Sequence, residues 1–466
     1  MPFDSRPLDL VIRGATVVSD SGRAVVDIGV AAGKVAQLGG SLRGAREIDA
    51  KGLFALPGAV DPHVHLTDGP DAPNEGEASF ADDFVSGSAT ALAGGVTTVG
   101  NMTFGGPRET MPEAIAREAA WAGRDATVDV FLHPVWPGPQ SQTERDILTL
   151  CEQGYSSLKI FTCTPEFDRH GTDVVRALTA ARTGGAITLF HCEDAALIDC
   201  CTQGLLRGGH SAFVHYPRAR PVLAEVIAVQ RAIALCEHTG APIYIVHLSS
   251  ARALDACREA RARGLPVYVE TRPLFLHLTE DRFVREDAAL FVGQPPLRAV
   301  EDREALWAGL ADGSIDTVGS DHAPWRVADK LNPAHTLDKL RPGAPDLETM
   351  LPMLISEGVL RRGLTLERVV ALTAANPARL FGLYPRKGTL EVGADADIVL
   401  WDLTETRTVE ASRLHSRADY SPYEATRVTG WPVLTIRRGE VVFEGGRLLA
   451  VPGSGRVLAR NATRAL

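Results

Sequence analysis

The chain has no apolar stretch near the roughly 20 residues that a membrane-spanning helix needs, so a bilayer protein is not expected. Its opening residues, Met1-Pro2-Phe3-Asp4-Ser5, form no basic segment followed by an apolar one, and a secretory signal is not expected either. Positive charge is short: 48 basic residues stand against 58 acidic ones, a formal net charge of −10. That balance argues against nucleic acid or an anionic membrane as the main partner. Cysteine is sparse and odd in number, at Cys151, Cys163, Cys192, Cys200, Cys201, Cys236 and Cys257. There is no Cys-x-x-Cys pair, so reduced thiols in a cytoplasmic protein are the expectation. Lysine is scarce too, confined to Lys34, Lys51, Lys159, Lys330, Lys339 and Lys387, because arginine supplies most of the positive charge.

What is present fits an ordinary globular protein, with 45% hydrophobic and 23% charged residues. A chain of 466 residues is too long for one small core, and one large domain with a smaller one is expected. From about Leu8 to Leu56 the sequence reads as short strands cut by glycine, as in Leu10-Val11-Ile12 and Lys34-Val35-Ala36-Gln37-Leu38. The texture returns at Asp397-Ile398-Val399-Leu400-Trp401 and over Val433 to Phe443, so the two chain ends are expected to pair into one β-sandwich. Between them strand and helix alternate. Strands are predicted at Ala59, Val96–Val99, Val128–Leu132, Ser157–Phe161, Ile187–Phe190, Ile243–Val246, Val267–Val269 and Ile315–Val318. The helices between them are read at Phe80–Ala93, Pro112–Ala122, Glu144–Gln153, Val174–Arg182, Leu223–His238, Ala251–Arg263 and Arg303–Ala311. Alternation of that count predicts an α/β fold, a (β/α)8 TIM barrel, whose site stands at the C-terminal ends of the strands. The expected division is 1–56 and 389–451 for the two parts of the sandwich, 57–388 for the barrel, and 452–466 for a polar tail that frays or lies on a neighbour.

The ends of those strands carry the chemistry. His63 and His65 close the first strand, and residues i and i+2 of a strand share a face. Two imidazoles projecting together suit a zinc-type metal. His191 closes the fifth strand, His247 the sixth and Asp321 the eighth. His170, His210, His215, His238, His335 and His415 fall in loops or helices and are read as structural or solvated. His322 is read as packing or supporting a ligand from behind. Lys159 stands inside the apolar run Leu158-Lys159-Ile160-Phe161, where a buried ammonium is costly unless it is paired or loses its charge. Either it has an acidic partner, or carbon dioxide has converted it to a carbamate that bridges two metals.

These residues carry a resemblance. Pro57-Gly58-Ala59-Val60-Asp61-Pro62-His63-Val64-His65, Ser157-Leu158-Lys159-Ile160-Phe161, His191-Cys192-Glu193-Asp194 and Tyr244-Ile245-Val246-His247-Leu248-Ser249 are similar to stretches of the cyclic amidohydrolases, most of all hydantoinase and dihydropyrimidinase. So are Pro295-Pro296-Leu297-Arg298, Gly319-Ser320-Asp321-His322-Ala323-Pro324, the run from Asn376 to Gly388 and Ser421-Pro422-Tyr423-Glu424. The resemblance implies two Zn2+ ions, with His63, His65 and Asp321 on one, His191 and His247 on the other, and carbamylated Lys159 between them. It implies the barrel, the sandwich and a homotetramer. It also implies hydrolysis of a small cyclic amide, a hydantoin- or dihydropyrimidine-like ureide or imide. In that chemistry two metals lower the pKa of a shared water. Asp321 takes the nucleophile's proton as general base and returns it to the leaving nitrogen as general acid.

The sequence departs from the pattern at the expected substrate contacts. Thr164 stands where hydantoinases carry a tyrosine, and Gln294 where they carry a serine. The usual asparagine after the eighth strand has no clear equivalent in Leu340-Arg341-Pro342-Gly343-Ala344-Pro345. Dihydroorotases carry an arginine where this chain has Thr67. Allantoinase- or dihydroorotase-like ring opening is the alternative activity. A non-catalytic relative of dihydropyrimidinase is the alternative class, and the filled ligand set weighs against it.

Overall fold

A computed structural model describes residues 8–67, 79–106, 108–140 and 142–466. Its central feature is eight parallel strands in two arcs. The first arc holds the first to third barrel strands, Ala59–Val64, Val96–Thr103 and Asp129–Pro134. The second holds the fourth to eighth, Ser157–Phe161, Ile187–His191, Ile243–Ile245, Val267–Thr271 and Thr317–Val318. The arcs meet at two seams, each a single parallel bridge, Val135 with Lys159 and Val64 with His322. Trp136 N–H donates to the Lys159 carbonyl at 2.8 Å, and His65 N–H to the His322 carbonyl at 2.9 Å. Each seam is therefore made by a residue of the expected site or its sequence neighbour. These strands are buried along almost their whole length, which is why they read as continuous apolar runs rather than alternating ones.

Helices follow the strands close to where the apolar periodicity places them, and two of the differences are the largest. The first begins at Phe84 rather than Phe80. Asp83 caps it, accepting from Val85 N–H and Ser86 N–H, while the Ser86 hydroxyl bonds back. The Asp82 carboxylate turns instead to His322 at 2.9 Å. The second is a helix at Ala195–Arg207, absent from the sequence reading, which stands between the fifth strand and Val222–Thr239. No described helix is long and apolar enough to cross a membrane.

Both chain ends build the second unit. Phe54–Pro57 pairs antiparallel with Ile398–Trp401 inside a seven-stranded sheet, and a four-stranded sheet from the N-terminal part faces it. Between the sheets lie Leu10, Ile12, Ile28 and Val30 from one end with Ile398, Leu400, Leu434 and Ile436 from the other. The expected run from Val433 to Phe443 is two strands, because Arg438 and Gly439 both take positive φ, 47° and 78°, and make a tight hairpin turn.

The tail departs from expectation. Residues from Gly455 onward run across the N-terminal end of their own chain's barrel. Val130 N–H donates to the Arg456 carbonyl, Leu458 N–H to Val130, Arg460 N–H to Gly154, Asn461 N–H to Gly382 and Thr463 N–H to Gly185. Leu458 joins Phe131, Tyr244, Phe381 and Leu383 in the apolar filling of the barrel. Backbone pairing and one apolar anchor hold a segment whose composition reads as loose.

Lys387 ties barrel to sandwich. Its ammonium is buried between Asp129 at 2.6 Å, Asp397 at 2.7 Å and Asp395 at 3.1 Å, and Arg438 also bonds Asp129. Removing one partner of a buried ion cluster strands the others and costs about 3–5 kcal/mol. Lys387→Met is expected to lower the free energy of urea unfolding by that amount. Burial disfavours the Asp129 carboxylate, but Lys387 and Arg438 more than reverse this, and its pKa falls on folding. A carboxylate depressed on folding adds stability above its unfolded value and loses it as pH drops below about 4. Thermal melts of the wild type are expected to fall below that pH, and the fall is expected to be shallower in Lys387→Met.

Candidate metal centre

Five of the eight barrel strands place the expected residues at one end of the barrel. Nε2 of His63 and Nε2 of His65 each lie 3.2 Å from Oδ1 of Asp321. Those three groups form a cluster tight enough to hold a metal ion. The ring of His247 lies 5.4 Å from that of His63 and 4.6 Å from that of His191, so the second pair of imidazoles adjoins the first. His247 and Asp321 take positive φ, 39° and 49°, a strained backbone that side chains other than glycine adopt mainly where the surroundings enforce it.

Lys159 is fully buried, and its Nζ has no hydrogen-bond partner. Burial pulls the ammonium down to about 8, against the pull of Asp321 and Glu270. Of the two readings of this lysine, no acidic group among the described residues pairs with it directly. Nδ1 of His65 and Nδ1 of His247 are also buried without partners. Burial holds His63 and His247 well below the ordinary histidine value, so they are neutral imidazoles, the form that binds metal. Three unpartnered nitrogens around a His-His-Asp cluster fit a divalent metal site.

The residues behind this set were mostly missed in the sequence. Glu270 Oε1 accepts from His63 Nδ1–H at 2.8 Å and from His247 N–H at 2.9 Å, while Oε2 accepts from the Tyr244 hydroxyl at 2.9 Å. The carboxylate leaves His63 Nε2 free for the cluster, and burial lifts its pKa to about 7. Its signal was the one that exposed Lys159, a charge inside the apolar strand Val267–Thr271. Arg272, fully buried, donates from Nη1 to Asp321 Oδ2 at 2.6 Å and from Nη2 to Asp346 at 3.1 Å. Burial disfavours the Asp321 carboxylate, yet Arg272, with the hydrogen bond to His65, more than reverses this and holds it well below the usual range. On the other side Glu193 accepts from His191 Nε2–H at 2.9 Å and from Arg220 at 2.9 and 2.5 Å. Burial opposes the imidazolium, but Cys163 and Glu193 more than reverse this and lift His191 to about 9. Asp61, lifted to about 7 by burial, accepts from His63 N–H and Ser320 N–H and fixes the first strand against the eighth.

His322 bonds Asp82 and accepts from Leu347 N–H, so it braces the loops beside Asp321 rather than joining the cluster. Thr164 donates its hydroxyl to the Phe161 carbonyl at 3.3 Å, a local turn contact. Gln294 is half-buried, with its side chain against the Tyr216 hydroxyl. Aromatic rings surround the histidines: Phe80 and Phe104 lie 5.7 and 6.0 Å from His65, Phe161 lies 5.5 Å from His191, and Trp325 packs on Phe80 at 4.7 Å.

Known proteins share this architecture. Residues 54–442 match the model of the amidohydrolase family. A D-phenylhydantoinase from Escherichia coli O9:H4 (strain HS) is 36% identical over 458 residues, 97% of this chain and 98% of that one. The structure of a dihydropyrimidinase from Brevibacillus agri NCHU1002 superposes with a TM-score of 0.92 at 32% identity, covering 98% of this chain and 99% of the other. A D-hydantoinase (dihydropyrimidinase) from Thermus sp. superposes with a TM-score of 0.92 at 31% identity, covering 97% and 99%.

Partners behind a metal-binding histidine are worth about 10–100-fold in metal affinity. Glu270→Gln is expected to raise the metal dissociation constant on that order, measured by chelator competition, while circular dichroism stays that of the wild type.

Proposed function

The chain belongs to the amidohydrolase family, and from that premise we propose that it hydrolyses a cyclic amide of the hydantoin or dihydropyrimidine class. The observation that carries the reading is the convergence of His63 Nε2 and His65 Nε2 on Asp321 Oδ1 beside a buried, unpartnered Lys159 Nζ. In this reading His63, His65 and Asp321 would hold one zinc, His191 and His247 would hold a second, and Lys159, as a carbamate, would serve as a shared ligand. Its amine adds to the carbon of CO2, a C–N bond forms, and a proton leaves. Burial favours the neutral amine that this step needs. When bound, divalent metal lowers the pKa of water and polarises a carbonyl.

The chain's own groups do the rest. Asp321 has its Oδ1 turned toward His63 and His65 and its Oδ2 held by Arg272. From that position it removes a proton from the attacking water and delivers it to the ring nitrogen as the C–N bond breaks. Glu270 keeps His63 in one tautomer while that happens. With the Thr164 hydroxyl bonded to its own turn, Gln294 is the amide assigned to the ureide in this reading, since it can both donate and accept.

The rim of Phe80, Phe104, Phe161 and Trp325 favours an apolar or aryl substituent on the ring, the class that the D-phenylhydantoinase name denotes. The seven free cysteines accord with a reducing, cytoplasmic compartment, and a homotetramer is the proposed assembly.

Elemental analysis is expected to find two zinc ions per chain. Lys159→Ala is expected to lose them together with activity, and a short carboxylic acid is expected to restore part of both; an alanine variant with full metal and turnover would exclude the bridge. Asp321→Asn is expected to lower turnover on the order of 10²-fold or more in metal-replete protein. Comparison of kcat/KM across hydantoin, 5-phenylhydantoin, dihydrouracil, allantoin, dihydroorotate and succinimide is expected to place 5-phenylhydantoin first, and allantoin or dihydroorotate in first place would reassign the substrate.

A further inference from the structure

Arg460 is a buried arginine that no carboxylate among the described residues accompanies. Its residue is 6% exposed, and its Nε and Nη1 have no hydrogen-bond partner. The guanidinium lies over the Phe131 ring at 5.0 Å, a cation–π contact inside the barrel. A cation desolvated this far is costly, and an apolar side chain in its place would plug the barrel without that cost. What Arg460 does make is specific. Nη2 donates to the Leu132 carbonyl at 2.9 Å and to Ser157 Oγ at 2.7 Å.

From Ser157 the bonds continue in one direction. Ser157 Oγ lies 2.8 Å from His133 Nδ1, and His133 Nε2 lies 3.0 Å from the Pro62 carbonyl. A carbonyl only accepts, so His133 carries its proton on Nε2 and presents a bare Nδ1. Ser157 must then donate to Nδ1, which leaves its oxygen lone pairs for the Arg460 N–H. Each donor and acceptor along the path therefore has one role. His133 is fully buried and wedged edge-on between Phe131 and Phe381, 5.1 Å from each, so the ring has no other orientation to adopt. The path ends one peptide before His63.

We propose that Arg460, through Ser157 and His133, is a positioning residue for the metal centre: the tail fixes the Pro62 carbonyl and with it the direction of His63. The proposal rests on the metal-binding reading of His63. The seating of the tail supports it independently. Backbone bonds pin both sides of Arg460, from Leu458 to Val130 and from Asn461 to Gly382. Gly382 has φ +69°, and a side chain there would collide with the Asn461 backbone. The tail is thus held on the barrel's own frame and sets Arg460 at a defined depth. It is a fixed part of one end of the barrel that sets a histidine at the other.

The experiment uses the full chain with Ser157→Ala, Arg460→Met and the double variant. The readouts are the zinc dissociation constant from chelator competition and the melting temperatures of zinc-loaded and zinc-free protein. Each single variant is expected to bind zinc on the order of tenfold more weakly, the scale for groups that orient a ligand from behind. The double variant is expected to be no weaker than the worse single one, since both break one path. The gap between loaded and zinc-free melting temperatures is expected to narrow. A tail that only plugs the barrel would lower both melting temperatures together and leave the gap and the zinc constant at wild-type values, and that outcome overturns the proposal. Ser157→Ala removes one oxygen and leaves the tail's backbone bonds intact, so it decides the matter even if Arg460→Met does not fold. Wild-type protein that binds no zinc would overturn the metal-centre reading itself, a result separate from variants that match a zinc-binding wild type.

Discussion

The structure depends on how many chargeable groups it keeps away from water at one end of the barrel. Lys159, His63, His191, His247, Glu270, Arg272 and Asp346 are all nearly or fully buried. Isolated, each would cost several kcal/mol in its charged form. The fold answers in three ways. Some groups are pushed toward neutrality by burial, as are His63, His247 and Glu270. Others are paired, as Arg272 is with Asp321 and Asp346, and Arg220 with Glu193. Lys159 is neither fully neutral nor paired, and it defines what the site still needs.

That demand explains where the barrel is irregular. The ladder between its two arcs is reduced to single bridges at Lys159 and at His322, one residue beyond Asp321. A continuous ladder would fix every residue there in extended geometry. Freed from it, Asp321 takes its positive φ, and Arg272 and Asp61 set its surroundings by side-chain bonds instead. At the opposite end the tail pairs with Val130, and Lys387 closes on Asp129. Rigidity at one end allows irregular backbone at the other, and ordered, strained backbone is what a preorganised site requires.

Sequence patterns carry one part of this and not the other. The eight strands were legible because a parallel strand covered on both faces is an unbroken apolar run between glycines. His63 and His65 were legible because two residues of one strand face share a direction, and Lys159 because a charge in an apolar run has to be explained. The same rule exposes Glu270, yet its partner His63 lies 207 residues away, and separation of that kind leaves no local pattern. Arg272 with Asp346, and Glu193 with Arg220, are likewise legible only once the strands are in place. The tail was misread for a different reason. Its grip is mostly backbone to backbone, and every residue but proline offers the same donor and acceptor.

The balance of charge gives the last constraint. As the chain stands, Lys159 and Arg272 oppose Asp321 and Asp346, and Glu270 is held near the midpoint of its titration. These four groups balance without any metal, although Lys159 Nζ makes no bond. Converting that amine to a carbamate turns one cation into an anion. Three carboxyl-type charges then face one arginine, before Glu270 is counted. Such an excess inside a low-dielectric barrel is untenable unless cations arrive with it. In the proposed carbamate, modification of the lysine and entry of divalent metal would therefore be one event, each removing the electrostatic obstacle to the other. The neutral imidazoles of His63 and His247 suit that reading, because they add ligands without adding charge. Arg272 keeps Asp321 from protonating before the metal is present, so the cluster with His63 and His65 is in its binding form from the start.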